Sequence, residues 1–143
     1  MTEMKYESCS IYAPVNGKCI SINAVNDPMF SAKKLGEGVA FQGEDNIVCA
    51  PCDGKILMIA ATKHTIGFEC ENNTEVLLHI GLGTVNLNGA GLKPLVKEGD
   101  TVKAGTPVME IDRDYMKYNK VDLTTPVVIT NSYAYNVETY HEK

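Results

Sequence analysis

Short runs rich in β-forming residues recur about every ten residues along this chain, each bounded by Gly, Pro, Asn or Asp, and no stretch sustains a long helical period. That spacing predicts an all-β fold, an antiparallel sandwich or barrel with short helical pieces. Strands are expected at residues 18–22, 38–42, 46–50, 55–60, 65–70, 74–80, 107–111 and 126–130. Asn72 and Asn73 separate two of these runs, and asparagine tolerates the positive φ of tight hairpin turns. Residues 65–70 and 74–80 are therefore expected to pair antiparallel, bringing the flanks of His64 and His79 together. Helical pieces are expected only at 30–35 and 113–118.

A chain of 143 residues has the length of one ordinary domain, and no linker or low-complexity segment divides it, so residues 1–143 are read as one unit. At that length roughly 68–70% of the unfolded surface is buried on folding, enough for a core without staples. The net charge of −5 supplies no excess of cations to neutralise phosphates. Nucleic acid and an anionic membrane surface are thus disfavoured as main partners. No apolar run approaches the roughly 18 residues of a membrane span, and Met1 to Ser10 lacks the apolar core of a signal peptide. A cytoplasmic protein with no direct membrane insertion is expected.

The segment from Ala13 to Ile22 matches that from Ala50 to Ile59 at Ala, Pro, Gly, Lys and the final Ile, with Asn16 and Asp53 as equivalent turn formers. Each copy reads as a turn feeding a strand, a duplicated unit within one sheet system. Residues 97–107, punctuated by Gly99, Asp100 and Gly105, add a third such turn before an apolar strand. The five cysteines, Cys9, Cys19, Cys49, Cys52 and Cys70, are an odd number in a chain without an export signal, so reduced thiols are expected. Cys49 and Cys52 have C-x-x-C spacing, but neither the further ligands of a zinc site nor the βαβ setting of a thioredoxin-like site is visible.

Of the three histidines, His141 lies in a polar C-terminal tail, which leaves His64 and His79. In the run Glu75 to Gly81, alternation places Leu77 and His79 on one sheet face and Val76, Leu78 and Ile80 on the other. A neutral imidazole at His79 keeps one basic ring nitrogen near physiological pH. Thr62, two residues before His64, is able to hydrogen-bond the ring of His64. Two histidines on paired strands could share phosphoryl transfer, one as nucleophile and the other steadying oxygens, or could both bind a metal. Spacing alone leaves both open. No serine sits in a nucleophile elbow, and Gly81-Leu82-Gly83 lacks the rest of a dinucleotide fingerprint, so it reads as a turn.

Seven segments in order resemble the glucose-family IIA component of the bacterial sugar phosphotransferase system. They are Ile11 to Gly17, Ala50 to Gly54, Thr62 to His64, Glu75 to Gly81, Thr84 to Gly89, Glu98 to Val102 and Thr125 to Asn131. The resemblance runs from about residue 11 to about residue 131, and the stretch around His79 is its most specific part. It implies a β-sandwich of the duplicated-hybrid type acting as a phosphocarrier. It also implies that His79 takes a phosphoryl group from the phosphohistidine of HPr and hands it to the IIB domain of a sugar permease. His64 would assist, Thr62 would orient, and no cofactor would be required. Asp27, Met29, Phe30, Leu35 and Leu77 match positions that surround the phosphoryl site or meet partners. At Gly83 the family commonly carries Asp, a carboxylate thought to meet basic residues of HPr, and Lys34 and Ala60 replace larger apolar side chains. Rival readings are a zinc-dependent hydrolase using His64 and His79, a biotinyl or lipoyl carrier with Lys117 as its lysine, and a noncatalytic regulatory module with other protein partners.

Overall fold

The protein is described by a computed structural model covering residues 10–70 and 73–131. Ten strands follow the turn punctuation: β1 (Gly17–Ser21), β2 (Glu37–Gly43), β3 (Ile47–Cys49), β4 (Gly54–Ile59), β5 (Thr65–Cys70), β6 (Glu75–His79), β7 (Leu92–Pro94), β8 (Thr101–Val102), β9 (Pro107–Ile111) and β10 (Thr125–Ile129). Seven of them form one sheet in the order β1-β2-β10-β6-β5-β4-β8, and β3-β9-β7 form a second. Neighbours within each sheet run antiparallel. The two copies of the sequence repeat feed β1 and β4 of the larger sheet, as a duplicated turn-strand unit should.

Period-two alternation decides which face of the larger sheet is covered by what. Ile66, Phe68, Val76, Leu78 and Val127 point inward and join Val48, Leu92, Met109 and Ile111 of the second sheet in the main core. Ala40 and Val128 point outward and form a smaller cluster with Ile22, Val25 and Phe30 from the connection between β1 and β2. Leu35, Leu77 and Leu82 pack on the edge of that cluster, half-buried. Sandwiching a sheet whose two faces are both partly apolar in this way leaves one end of the outer face open, and that end holds the histidines.

Three expectations need correction. The helix expected at 30–35 is instead α1 (Pro28–Ser31), because Asp27 caps its start by accepting from the Met29 amide at 3.0 Å and Pro28 supplies the preset φ of a first helical residue. Lys33 takes a left-handed φ of 56°, which ends any right-handed continuation. The second helix, α2 (Arg113–Tyr118), lies where expected, so Lys117 sits in a helix and not on the hairpin a carrier lysine needs.

Two strands, β7 and β8, were not anticipated. With three and two residues they are too short to show alternation. The third correction concerns the thiols: Cys52 and Cys70 form a disulfide, with Cα atoms 6.0 Å apart. The pairing of Gly54 with Cys70 at the open end of the β4–β5 hairpin brings the two together, although 18 residues separate them in sequence. Cys19 and Cys49 are free and half-buried, and burial pushes both thiols up from their ordinary range. Cys9, Asn72 and His141 lie outside the described residues, while Asn73 has the left-handed φ of 57° expected of a hairpin turn.

Candidate functional site

The expected hairpin forms, with Thr65 directly opposite His79 in the β5–β6 register. A backbone bond of 2.7 Å from the Ile80 amide to the His64 carbonyl then carries the ladder one step past the strand ends. The main chains of the two histidines are thereby tied together. Their rings face each other edge to face, with centroids 4.9 Å apart and planes at 80°. As alternation required, His79 and Leu77 share the outer face, while Val76, Leu78 and Ile80 are buried in the main core.

Each ring is fixed through its Nδ1 atom. His79 Nδ1 lies 2.7 Å from the Gly81 carbonyl oxygen, which can only accept, so Nδ1 carries the proton and Nε2 carries the lone pair. The Thr62 hydroxyl lies 2.5 Å from His64 Nδ1. When that hydroxyl donates, His64 presents its Nε2 as an N–H donor. One imidazole thus offers a nucleophile and the other a hydrogen-bond donor.

Phe30 lies edge-on beneath His79, with centroids 5.0 Å apart, and is only 2% exposed. Phe30 thus borders His79, as the resemblance implied, but it is too buried to meet a partner: it packs with Ile22 and Val25 and props the ring. Burial lowers the His79 pKa from its ordinary value of 6.5; His64 acts in the same direction, while the Gly81 hydrogen bond and the Asp27 carboxylate oppose. Burial also lowers His64. Both rings are therefore biased toward the neutral form that a nitrogen nucleophile requires.

Of the other expected contact residues, Met29 is 45% exposed, Asp27, Leu35 and Leu77 are half-buried, and Gly83 is exposed. Gly83 has φ 72°, and a Cβ placed there would meet no atom within 4 Å. Reading the residues alone misses one contributor, the Gly81 carbonyl, because Gly81-Leu82-Gly83 reads merely as a turn. Val85 stands exposed two residues beyond Gly83, and Met58 lies over Gly67, whose strand partner is Leu77. A bulge between Ile56 and Met58 interrupts the alternation of β4. Among the described residues no group of three His, Cys, Asp or Glu is arranged to hold a metal ion. Nor is any helix there long and apolar enough to cross a membrane. A polar cleft of about 480 Å³ lined by Lys93, Glu110, Arg113 and Asp114 shares no residue with the histidine site.

Fold and site together define an antiparallel β-sandwich with paired imidazoles at the open end of one sheet face. The chain belongs to the EIIA 1 family of the phosphoenolpyruvate-dependent sugar phosphotransferase system, whose model matches residues 9–135. It is 45% identical over 131 residues to a glucoside-specific EIICBA component from Staphylococcus carnosus, covering 92% of this chain and 19% of that protein. It is 42% identical over 121 residues to a glucose-specific EIIA component from Halalkalibacterium halodurans, covering 85% of this chain and 70% of that one. The chain therefore spans about a fifth of the EIICBA relatives and most of the shorter EIIA ones. The glucose permease IIA from Mycoplasma capricolum superposes with a TM-score of 0.80 at 32% identity, over 85% of this chain and 79% of that one.

Proposed function

We propose that His79 is the phosphoryl acceptor of a sugar phosphotransferase relay, loaded by the phosphohistidine of HPr and unloaded by the IIB domain of a sugar permease. The observation that carries this reading is the bond from His79 Nδ1 to the Gly81 oxygen, which leaves Nε2 as the basic nitrogen. Nε2 attacks phosphorus as the donor's N–P bond breaks, and that electron pair returns to the donor ring. Nδ1 keeps its proton on Gly81 throughout, so no proton has to leave the site. His64, held by Thr62, donates Nε2–H to a phosphoryl oxygen as charge develops. Phosphoryl exchange between two histidines is nearly balanced in energy, so alignment and charge stabilisation suffice. No ATP or cofactor is needed, and a zinc ion held by His64 and His79 would need ligands from elsewhere.

A partner protein must present its own phosphohistidine, and the exposed Met29 and Val85 with half-buried Leu35 and Leu77 suit a shallow protein contact better than an enclosed small-molecule cavity. The name EIICBA, borne by longer relatives, joins A, B and C units in one component and supports a IIB domain as receiver. The test is incubation with phosphoenolpyruvate, enzyme I and HPr, followed by intact-mass measurement. One acid-labile, base-stable phosphoryl group per chain is expected, absent in His79→Ala. Equal stoichiometry in that variant would sink the assignment.

A further inference from the structure

We propose that Thr84 is a positioning residue for phosphoryl acceptance: its hydroxyl anchors the Ile80–Gly81 peptide so that the Gly81 carbonyl stays on the Nδ1 proton of His79. The inference rests on the reading of His79 as acceptor. Thr84 is fully buried, five residues beyond His79, in the first turn of a 3₁₀ segment spanning Thr84–Leu87. Its hydroxyl donates back to the Ile80 carbonyl at 2.6 Å. The next peptide is held from the opposite side, since the Leu82 amide donates to the Asp122 carbonyl at 2.8 Å. The Gly81 oxygen belongs to that second peptide, and it accepts from His79 Nδ1.

Two rigid peptide planes hinged at Gly81 are thus pinned at their outer ends, one by Thr84 and the other by Asp122. The hinge itself has a left-handed φ of 75° and no space for a side chain: a Cβ at Gly81 would lie 2.7 Å from Thr84 Cγ2 and 3.1 Å from the Asp122 oxygen. Glycine is the residue with the freest backbone, so a turn built on it needs external anchors to hold one orientation. With the Thr84 anchor gone, the turn is held by the Asp122 bond at one end alone, so the Ile80–Gly81 plane can rotate about that single anchor and carry Gly81 with it, moving the Gly81 oxygen off the line of the His79 N–H. The ring then loses its bias between tautomers, and part of the population carries its proton on the nitrogen that must attack.

The experiment is ¹⁵N NMR of the imidazole nitrogens in the unphosphorylated chain, about two pH units above the ring's ordinary value so that both rings are neutral. Wild-type His79 is expected to be almost wholly the Nδ1–H tautomer. Thr84→Val, which keeps the shape and removes the hydroxyl, should shift His79 toward a mixture while His64, held by Thr62, keeps its spectrum. Thr84→Ser should restore the wild-type pattern. Phosphoryl acceptance from HPr should slow by about tenfold to about 100-fold in Thr84→Val and recover in Thr84→Ser. A folded Thr84→Val protein with an unchanged His79 tautomer overturns the proposal. Should that variant fail to fold, Thr84→Ser decides, because loss of the Nδ1–H tautomer with the hydroxyl still present overturns it equally. The tautomer is read without HPr, so a wild-type chain that accepts no phosphoryl group on His79 defeats the acceptor reading while leaving this measurement interpretable.

Discussion

Gly81 can only accept from Nδ1 of His79, whereas the Thr62 hydroxyl is able to donate to Nδ1 of His64, and in that arrangement two chemically identical rings take opposite roles. Under the proposed transfer only His79 forms a bond, and His64 stabilises charge. His64→Gln should therefore still load one phosphoryl group, yet deliver it to a IIB domain up to about 100-fold more slowly. An unchanged delivery rate in rapid-quench measurements would remove His64 from the mechanism. The lowered pKa values of both rings also have a consequence for stability. In the unfolded chain these imidazoles take up protons near pH 6.5, whereas in the folded chain they do so only at lower pH. Their contribution is fully present above about pH 6.5 and is lost as pH falls from there through the folded values. Urea midpoints should accordingly fall between about pH 7 and about pH 5, and less steeply in the double variant His64→Gln, His79→Gln. An identical slope in that variant would place the proton uptake on other groups.

At the scale of elements, the β4–β5 hairpin carries Thr62 and His64 near its tip and the disulfide at its open end. Closing an 18-residue separation removes unfolded-chain entropy worth about 3 kcal/mol in the loop-closure picture. Reduction, or Cys70→Ser, should lower the melting temperature by about 10 °C. Calorimetry with and without reductant checks this, and an unaltered Tm would show that the cross-link adds nothing to stability. The disulfide could not be read from spacing, since Cys52 and Cys70 become neighbours only once two strands have chosen a register. Apart from β3, which has only three residues, the legible strands share a different property: each has enough residues for apolar periodicity to show between turn formers, as with residues 65–70 and 107–111, whose bounds coincide with β5 and β9. Residues 92–94 and 101–102 lack that length, and their pairing is decided by neighbours distant in sequence. The start of α1 is written in Asp27-Pro28, a cap and a first-turn proline, which places it two residues before the expected helix. Within the site, the two histidines were legible because strand pairing brings them together, and Thr62 because it lies two residues before His64. Whether Phe30 would prop the ring or face a partner was not legible, because burial is a tertiary outcome that residue type does not announce.

Across the whole molecule, a net charge of −5 suits association with a basic partner, but Gly83 lacks the carboxylate that the family resemblance leads one to expect at that point. The open surroundings of that residue separate two effects of Gly83→Asp: nothing obstructs the new side chain, while the φ of 72° strains it by about 1 kcal/mol. Association with HPr should accelerate by about twofold to fivefold at low ionic strength, with the gain shrinking as salt rises. Stopped-flow mixing at two salt concentrations, with a melting curve as control, tests this. A folded variant that associates no faster at either salt would show that docking ignores this point. The bond from the Ile80 amide to the His64 carbonyl has a wider consequence. Because it fixes the spacing of the two rings through the main chain, that spacing is a gauge cut once, when the chain folds, and every visitor meets the same gauge. Under the proposed transfer, neither the donor that arrives loaded nor the receiver that arrives empty has to reset it, and traffic in both directions can pass through one doorway without a moving part.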